Sequence, residues 1–170
     1  MSIDKYDWHS GAKNFPKDLP EEAGATHIGM FLAWAWLSGL KPSNEYEYDY
    51  EFDEYCKKQY KRFSKRSSTP GKILLEYFDG KLHHGDFNEE GEAFASYYYV
   101  GYEEGDYFKE SGRSNYFEDY YDALGVCDEN VFYVPDNWST YDKLKPILDQ
   151  RLKEWRSLVQ QEVDLIKNDN

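Results

Sequence analysis

Histidine is the side chain most suited to proton transfer at neutral pH, and this chain has four, His9, His27, His83 and His84. His83-His84-x-Asp86 has the composition of a metal-binding cluster. Adjacent histidines in a strand or loop point apart, however, and neither an HExxH motif nor facial-triad spacing accompanies them. We interpret this segment as a solvated turn, and we predict no metal ligand and no cofactor.

His27 stands in the apolar run THIGMFLAWAWL and is a second candidate for chemistry. In a pocket beside a carboxylate it would act as a general base. The interpretation that we favour is a core histidine bonded to a carboxyl or carbonyl group. Trp8-His9 is a third candidate, which we interpret as an aromatic anchor for the N-terminal residues.

Other catalytic signatures are missing from the sequence. It contains no GxSxG motif and no Walker-type loop, and neither Cys56 nor Cys127 has a histidine positioned beside it. Carboxylates are so numerous that a catalytic pair would not stand out, because such pairing is set in space. We therefore predict a non-catalytic protein. The alternative is a small cytosolic enzyme that uses His27 or the His83/His84/Asp86 region.

The charge of the chain is strongly negative, with a formal net value of −13. This argues against a nucleic-acid or anionic-lipid partner and favours a basic protein partner, whose encounter it would accelerate. Solubility alone is the alternative explanation. The segment 86–122 carries eleven acidic and two basic residues, a net −9.

Aromatic residues make up 19% of the chain, including 17 tyrosines. Tyrosine suits contact surfaces because it combines a large apolar area with a polar hydroxyl, although it also packs in ordinary cores. We predict that acidic and tyrosine side chains of the third quarter form one docking surface. Its predicted members are Tyr97, Tyr98, Tyr99, Glu103, Glu104, Asp106, Tyr107, Glu118, Asp119 and Tyr120.

The predicted fold is mainly α, with α+β as the alternative, in a single domain over 1–170. A central helix is expected at 19–40, because Pro20 suits a first turn and Gly39 suits the end of a helix. Its run Met30–Leu37 is apolar on every side, which indicates a core helix, and it is too short for a membrane span.

The remaining predicted elements surround this helix. An irregular N-terminal arm is expected at 1–18, and a short strand at Val131–Val134 is the one expected β element. Further helices are predicted at 45–66, Pro70–Phe78, 88–102, Asn115–Leu124 and 145–167, the last of them amphipathic.

The N-terminus has no apolar targeting segment, and the two cysteines lie 71 positions apart with no CxxC spacing. We therefore expect a cytoplasmic protein with both thiols reduced.

Several segments, DLPEEAGATHIGMFLAWAWLSGL, LLEYFDGKL, FNEEGEAFASYYY and YDKLKPILDQRLKEW, resemble an uncharacterised bacterial domain family. The resemblance spans roughly residues 5–156, and its most specific part is the THIGMFLAWA run. Some members of that family resemble immunity proteins, which neutralise toxins used in competition between bacteria. No binding residue is carried over from the family. The shared positions, which equally mark a common core, are Thr26, His27, Trp34, Asp149, Arg151 and Trp155.

The resemblance and the charge together predict an immunity protein. Its partner would be a cognate toxin with a basic active site, such as a nuclease effector, which the docking surface would cover. An interaction domain with no toxin partner is a third alternative. The sequence leaves the oligomeric state open.

Overall fold

The computed structural model describes residues 2–42, 50–102 and 115–168, and within them the chain is mainly helical, as predicted. The α-helices are α1 (Tyr6–Ser10), α2 (Thr26–Leu37), α3 (Tyr50–Ser64), α4 (Pro70–Tyr77), α5 (Glu89–Tyr98), α6 (Tyr116–Leu124) and α7 (Trp138–Asn168). Strands β1 (Ser2–Lys5) and β2 (Lys81–His83) pair in antiparallel fashion. Short 3-10 turns occupy Glu21–Ala25, His84–Asp86, Val100–Tyr102 and Val131–Tyr133.

Helix α2 lies at the centre of the fold, and every residue from Thr26 to Trp36 is buried. The α-helix is shorter than the predicted segment 19–40, because Glu21–Ala25 forms a 3-10 turn before it. At its other end Gly39 adopts a left-handed φ of 86°, which stops the helix where the sequence predicts.

Helix α4 crosses α2 at very short range, which two glycines allow. A Cβ on Gly29 would lie 2.6 Å from the Cα of Gly71. The N-terminus of α4 is capped from a distant part of the chain: the carboxylate of Asp136 accepts hydrogen bonds from the Thr69 hydroxyl, from the Gly71 N–H at 2.9 Å and from the Lys72 N–H at 3.2 Å. These contacts fix α4 against the core.

Residues 2–10 form a strand and a helix, so the prediction of an irregular arm at 1–18 is wrong for this part of the arm. Strand β1 pairs with β2 in a register that places Asp4 opposite Leu82 and Lys5 opposite Lys81. The Tyr6 N–H donates to the Gly80 carbonyl at 3.0 Å, so helix α1 begins immediately after the sheet. Because the residues of β2 lie 75 or more positions from their partners in β1, the local sequence gives no signal that predicts this strand pairing.

The strand predicted at Val131–Val134 is a 3-10 turn instead. Its backbone is satisfied locally, since the Val131 N–H donates to the Cys127 carbonyl at 2.9 Å and the Tyr133 N–H donates to the Asn130 carbonyl at 3.0 Å. The side chain of Asn130 accepts from the Cys127 N–H at 2.8 Å and closes the turn. The hydrogen bond of the Asn130 side chain therefore favours a turn here, although β-branched residues favour a strand.

The observed helices that correspond to predicted helices differ from them mainly in where they begin and end. Helix α6 has the predicted Asn115 cap, and Gly125 closes it with a φ of 65°. Helix α7 begins at Trp138, seven residues before the predicted 145, and Pro146 lies inside it. The part of the segment 45–66 that the structure describes is helical over Tyr50–Ser64, and residues 43–49 lie outside the description.

The buried apolar side chains come from α2 through α7 and form one cluster around Trp34 and Trp36. The indole N–H of Trp34 donates to Asp149 at 2.9 Å, which ties α7 to α2. No helix of the described segments combines the length and the apolar character needed to cross a bilayer.

Candidate functional site

The polar atoms of Asp4, His9 and His27 lie close together at the N-terminal end of α2. The His9 Nε2 lies 2.8 Å from Asp4 Oδ1, and the His27 Nε2 lies 3.4 Å from Asp4 Oδ2. The two Nε2 atoms lie 3.2 Å apart. In the described part of the chain, this is the one group of three such residues whose donor atoms lie close enough to share a metal ion.

Three separate elements position this Asp–His–His cluster. Asp4 is the inward residue of β1, His9 lies on α1, and His27 lies in the first turn of α2. Gly24 allows α1 to approach, because a Cβ there would lie 2.7 Å from the Tyr6 carbonyl oxygen. The cluster therefore depends on β1 pairing with β2 and on the α1 contact, neither of which is local in sequence.

The carboxylate of Asp4 is held by further hydrogen bonds. The hydroxyl of Tyr99 donates to Oδ2 at 2.6 Å, and the Lys5 N–H donates to Oδ1 at 2.7 Å. The hydroxyl of Tyr116 donates to the carbonyl of His27 at 2.6 Å, so a second tyrosine fixes the backbone at the cluster. These buried donors restrict the orientation of the acid and of α2.

Burial and hydrogen bonding set the protonation of the cluster. Burial raises the pKa of Asp4, but the hydrogen bonds that its carboxylate makes with His27 and His9 outweigh burial and hold that pKa well below its usual value. Burial lowers the pKa of His27, against the opposing effect of Asp4. At neutral pH the cluster therefore contains an ionised carboxylate and a neutral His27 imidazole.

His9 connects the cluster to a surface cleft of about 460 Å³. Its side chain is 25% exposed, whereas that of His27 is 4% exposed. The lining residues of this His9 cleft include Asn115, Phe117, Glu118, Asp128 and Phe132. The ring of Phe132 packs 6.2 Å from that of His9, centroid to centroid. A molecule in the cleft would meet His9 first.

This arrangement suits two kinds of chemistry. A histidine held by a buried carboxylate and open to a cleft is positioned as a general base or acid. Two imidazole nitrogens and a carboxylate oxygen at one point are also typical ligands of a transition metal. Both uses place the reacting atoms beside the His9 cleft, which His9 lines.

The structure places four members of the predicted docking surface in the interior. Tyr98, Tyr99 and Tyr120 are 1%, 3% and 1% exposed, and Asp119 is 7% exposed. Because their side chains pack in the core or in buried hydrogen bonds, they present no contact surface to a partner in this structure. The tyrosine-rich pattern is explained at these positions by core packing.

The other predicted members divide into two groups. Tyr97 is half-buried, with its ring centroid 6.5 Å from that of Trp155. Glu118 lines the His9 cleft and accepts from the Asn115 N–H at 3.3 Å in the cap of α6. The predicted members outside the described residues are Glu103, Glu104, Asp106 and Tyr107.

The His83/His84/Asp86 segment is separate from the cluster. The Asp86 carboxylate accepts from the His83 N–H at 2.6 Å, and His84 Nδ1 lies 3.1 Å from Glu92. The side chains thus take part in a short turn after β2, in agreement with the turn predicted here.

His27 is a site residue that the sequence identified, although with a different preferred role. Asp4 was missed, and His9 was considered together with Trp8 but interpreted as an aromatic anchor. They lie 23 and 18 positions before His27, and nothing in that spacing marks a shared site. The signal that was available is the scarcity of histidine, since His9 and His27 are half of the four in the chain.

The model of a family described as a domain of unknown function (DUF7832) matches residues 2–134, so the chain belongs to this family. All three residues of the Asp–His–His cluster lie in the matched region, whereas helix α7 lies beyond it. No curated protein and no solved structure matches the chain.

Proposed function

We propose that this protein is an enzyme whose reaction centre is the Asp–His–His cluster beside the His9 cleft. One observation carries this proposal: a partly exposed histidine lines a cleft while its Nε2 lies 2.8 Å from a buried, ionised carboxylate. Such a pair orients the imidazole for proton transfer. The reaction is one in which a proton is taken from water or another hydroxyl.

The lining of the cleft indicates the charge of the substrate. Its described residues include Glu118 and Asp128 but neither lysine nor arginine. An anionic phosphate would meet no lysine or arginine among these described lining residues, and a net charge of −13 would repel it at long range. Neutral or cationic esters and amides are therefore the proposed substrates, with hydrolysis as the reaction.

A panel of chromogenic substrates tests this proposal. We expect the protein to hydrolyse a p-nitrophenyl ester or a lysine or arginine p-nitroanilide, but not p-nitrophenyl phosphate. His9→Ala should lower kcat/KM at least a hundredfold, as loss of a general base does. His84→Ala is the matched control, since His84 lies outside the cluster, and it should retain full activity. Hydrolysis of none of the panel, or equal hydrolysis by His9→Ala, contradicts the proposal.

Neutralisation of a basic toxin is a second candidate function, supported by the net charge of −13 and by the resemblance of some family members to immunity proteins. Since Tyr98, Tyr99, Asp119 and Tyr120 are buried, its contact surface would consist of other acidic residues. Such a protein would act in the cytoplasm on a cognate toxin. Charge reversal at Glu103, Glu104 and Asp106 tests it: unchanged toxin binding and protection would contradict this surface.

A further inference from the structure

The polar atoms of the Asp–His–His cluster form a compact triangle. Its three contacts measure 2.8 Å from His9 Nε2 to Asp4 Oδ1, 3.2 Å between the two Nε2 atoms, and 3.4 Å from His27 Nε2 to Asp4 Oδ2. Ligand atoms bound about 2.1 Å from one ion lie about 3.4 Å apart at a tetrahedral angle and about 3.0 Å apart at a right angle. The contacts fall around these values, and one ligand atom from each of the three residues lies within 4.8 Å of the others, so one ion could bind all three after modest shifts of their side chains.

Hydrogen bonding alone satisfies this triangle incompletely. The Nε2 atoms of His9 and His27 carry at most one hydrogen each, and ionised Asp4 carries none. Two hydrogens therefore have to serve three short contacts, and if both point toward Asp4 the two Nε2 atoms face each other at 3.2 Å with no hydrogen between them. A cation at the centre accepts a lone pair from each of the three residues instead.

We propose that Asp4, His9 and His27 bind one divalent transition-metal ion, with a coordination position left open toward the His9 cleft. Two imidazole nitrogens with one carboxylate suit zinc, iron, cobalt or nickel, whereas magnesium and calcium prefer oxygen ligands. Three protein ligands with an open position are typical of catalytic metal sites.

The surroundings of the cluster support this assignment. The Tyr99 hydroxyl, 2.6 Å from Asp4 Oδ2, orients the carboxylate as an outer hydrogen bond does in known metal sites.

The catalytic role of this metal site rests on the proposed function, to which the inference adds a metal ion as the cofactor. An ion at the triangle would bind Nε2 of His9, so the proton acceptor in the cleft would be an ion-bound water rather than the imidazole. Such a water loses its proton near neutral pH. The reaction centre stays at the same place.

Direct metal titration of the full-length protein, after removal of metals with EDTA, tests the inference. We expect one Zn²⁺ per chain by calorimetry, one Co²⁺ per chain by visible absorption, and a rise in Tm with Zn²⁺. Mg²⁺ at the same concentration should produce no change. Asp4→Asn and His9→Ala should each weaken binding at least tenfold and abolish the rise in Tm, while His84→Ala should bind as the wild type does.

Circular dichroism establishes which variants fold. If the Asp4→Asn variant does not fold, His9→Ala alone tests the site, because His9 is partly exposed on a short helix. Absence of stoichiometric binding, binding that survives His9→Ala, or binding lost in His84→Ala would overturn the metal site. Zn²⁺ binding without hydrolysis of the panel would overturn the proposed function alone. Hydrolysis that persists in EDTA would contradict the role of the ion in the reaction and would leave the proposed hydrolytic function standing.

Discussion

The carboxylate of Asp119 binds the guanidinium of Arg151 in a bidentate pair, with Oδ2 2.7 Å from Nε and Oδ1 2.8 Å from Nη2. The hydroxyl of Tyr98 donates to the same Oδ2 at 2.5 Å. The Asp119 side chain is 10% exposed and that of Arg151 is 29% exposed. This network joins α5, α6 and α7, so Asp119 acts within the fold.

Replacing Asp119 by alanine should destabilise the protein by about 3 kcal/mol, because it leaves the Arg151 charge and the Tyr98 hydroxyl without their shared acceptor. Urea denaturation measures the change. Glu90→Ala is the matched control: Glu90 pairs with Arg156, Oε1 to Nε 2.6 Å, but both side chains are at least 40% exposed. Its loss should cost less than about 1 kcal/mol. Equal effects of the two substitutions would show that burial does not set the strength of these pairs.

The sequence predicted local features of the fold well. Helix α2 is identified by its apolar run, and α6 by its Asn115 cap and by Gly125, because the signals for each lie within the element. The pairing of β1 with β2 could not be predicted, since a three- or four-residue strand has no periodic pattern and the two segments lie far apart. The turn at Val131–Tyr133 was mistaken for a strand because composition alone ignores the Asn130 contact.

Of the three residues of the candidate site, the sequence drew attention to His27 and to His9, both with a preferred structural role, and it gave no indication of Asp4. His27 was identified because it interrupts an apolar helix, and the carboxylate expected beside it exists as Asp4. Asp4 and His9 depend on the β1–β2 register and on the approach of α1 at Gly24, which only the folded chain reveals. Burial of Tyr98, Tyr99 and Tyr120 likewise follows from packing that composition does not encode.

The α2–α4 crossing predicts that Gly29→Ala destabilises the protein. In an uncrowded helix the substitution would stabilise by up to about 1 kcal/mol, since alanine has the higher helix propensity. Here the new methyl would lie 2.6 Å from backbone atoms of Pro70 and Gly71, so the two helices would have to separate. We expect a loss of about 2 kcal/mol, of the size that overpacking produces.

Thermal and urea unfolding measure this change. Gly85→Ala is the control, because a Cβ at Gly85 meets nothing within 4 Å. Its stability should stay within about 0.5 kcal/mol of the wild type. A Gly29→Ala protein as stable as the wild type would show that α2 and α4 can move apart at no cost.

Removal of the hydroxyl should lower the stability of the protein at one buried tyrosine but not at another. Tyr116→Phe loses the 2.6 Å bond to the His27 carbonyl and should cost about 1 kcal/mol. The hydroxyl of Tyr120 is buried and has no hydrogen-bond partner among the described residues. Tyr120→Phe should therefore leave stability unchanged or increase it. Urea denaturation of both variants decides the point, and a larger loss in Tyr120→Phe than in Tyr116→Phe would be the contrary result.

Asp86 should make the protein less stable as the pH rises from about 4 to about 6. Burial raises the pKa of Asp86 to about 6, against the hydrogen bond from the His83 N–H. The folded state therefore holds this proton more tightly than the unfolded state, whose pKa is the ordinary 3.8. The stability that this bound proton contributes is fully present below the unfolded-state pKa, and it is lost as the pH rises through the folded-state pKa.

Asp86→Asn tests this, because the amide oxygen can still accept from His83 while the charge is absent. At pH 7.5 the variant should be more stable than the wild type by about 3 kcal/mol, the order that a rise in pKa from 3.8 to about 6 represents. The difference should narrow at pH 5, where Asp86 in the folded wild type is largely protonated. Urea denaturation at both pH values measures it, with Asp79→Asn as the exposed control, whose stability relative to the wild type should not show this narrowing. A difference that is the same at both pH values would mean that Asp86 is ionised throughout.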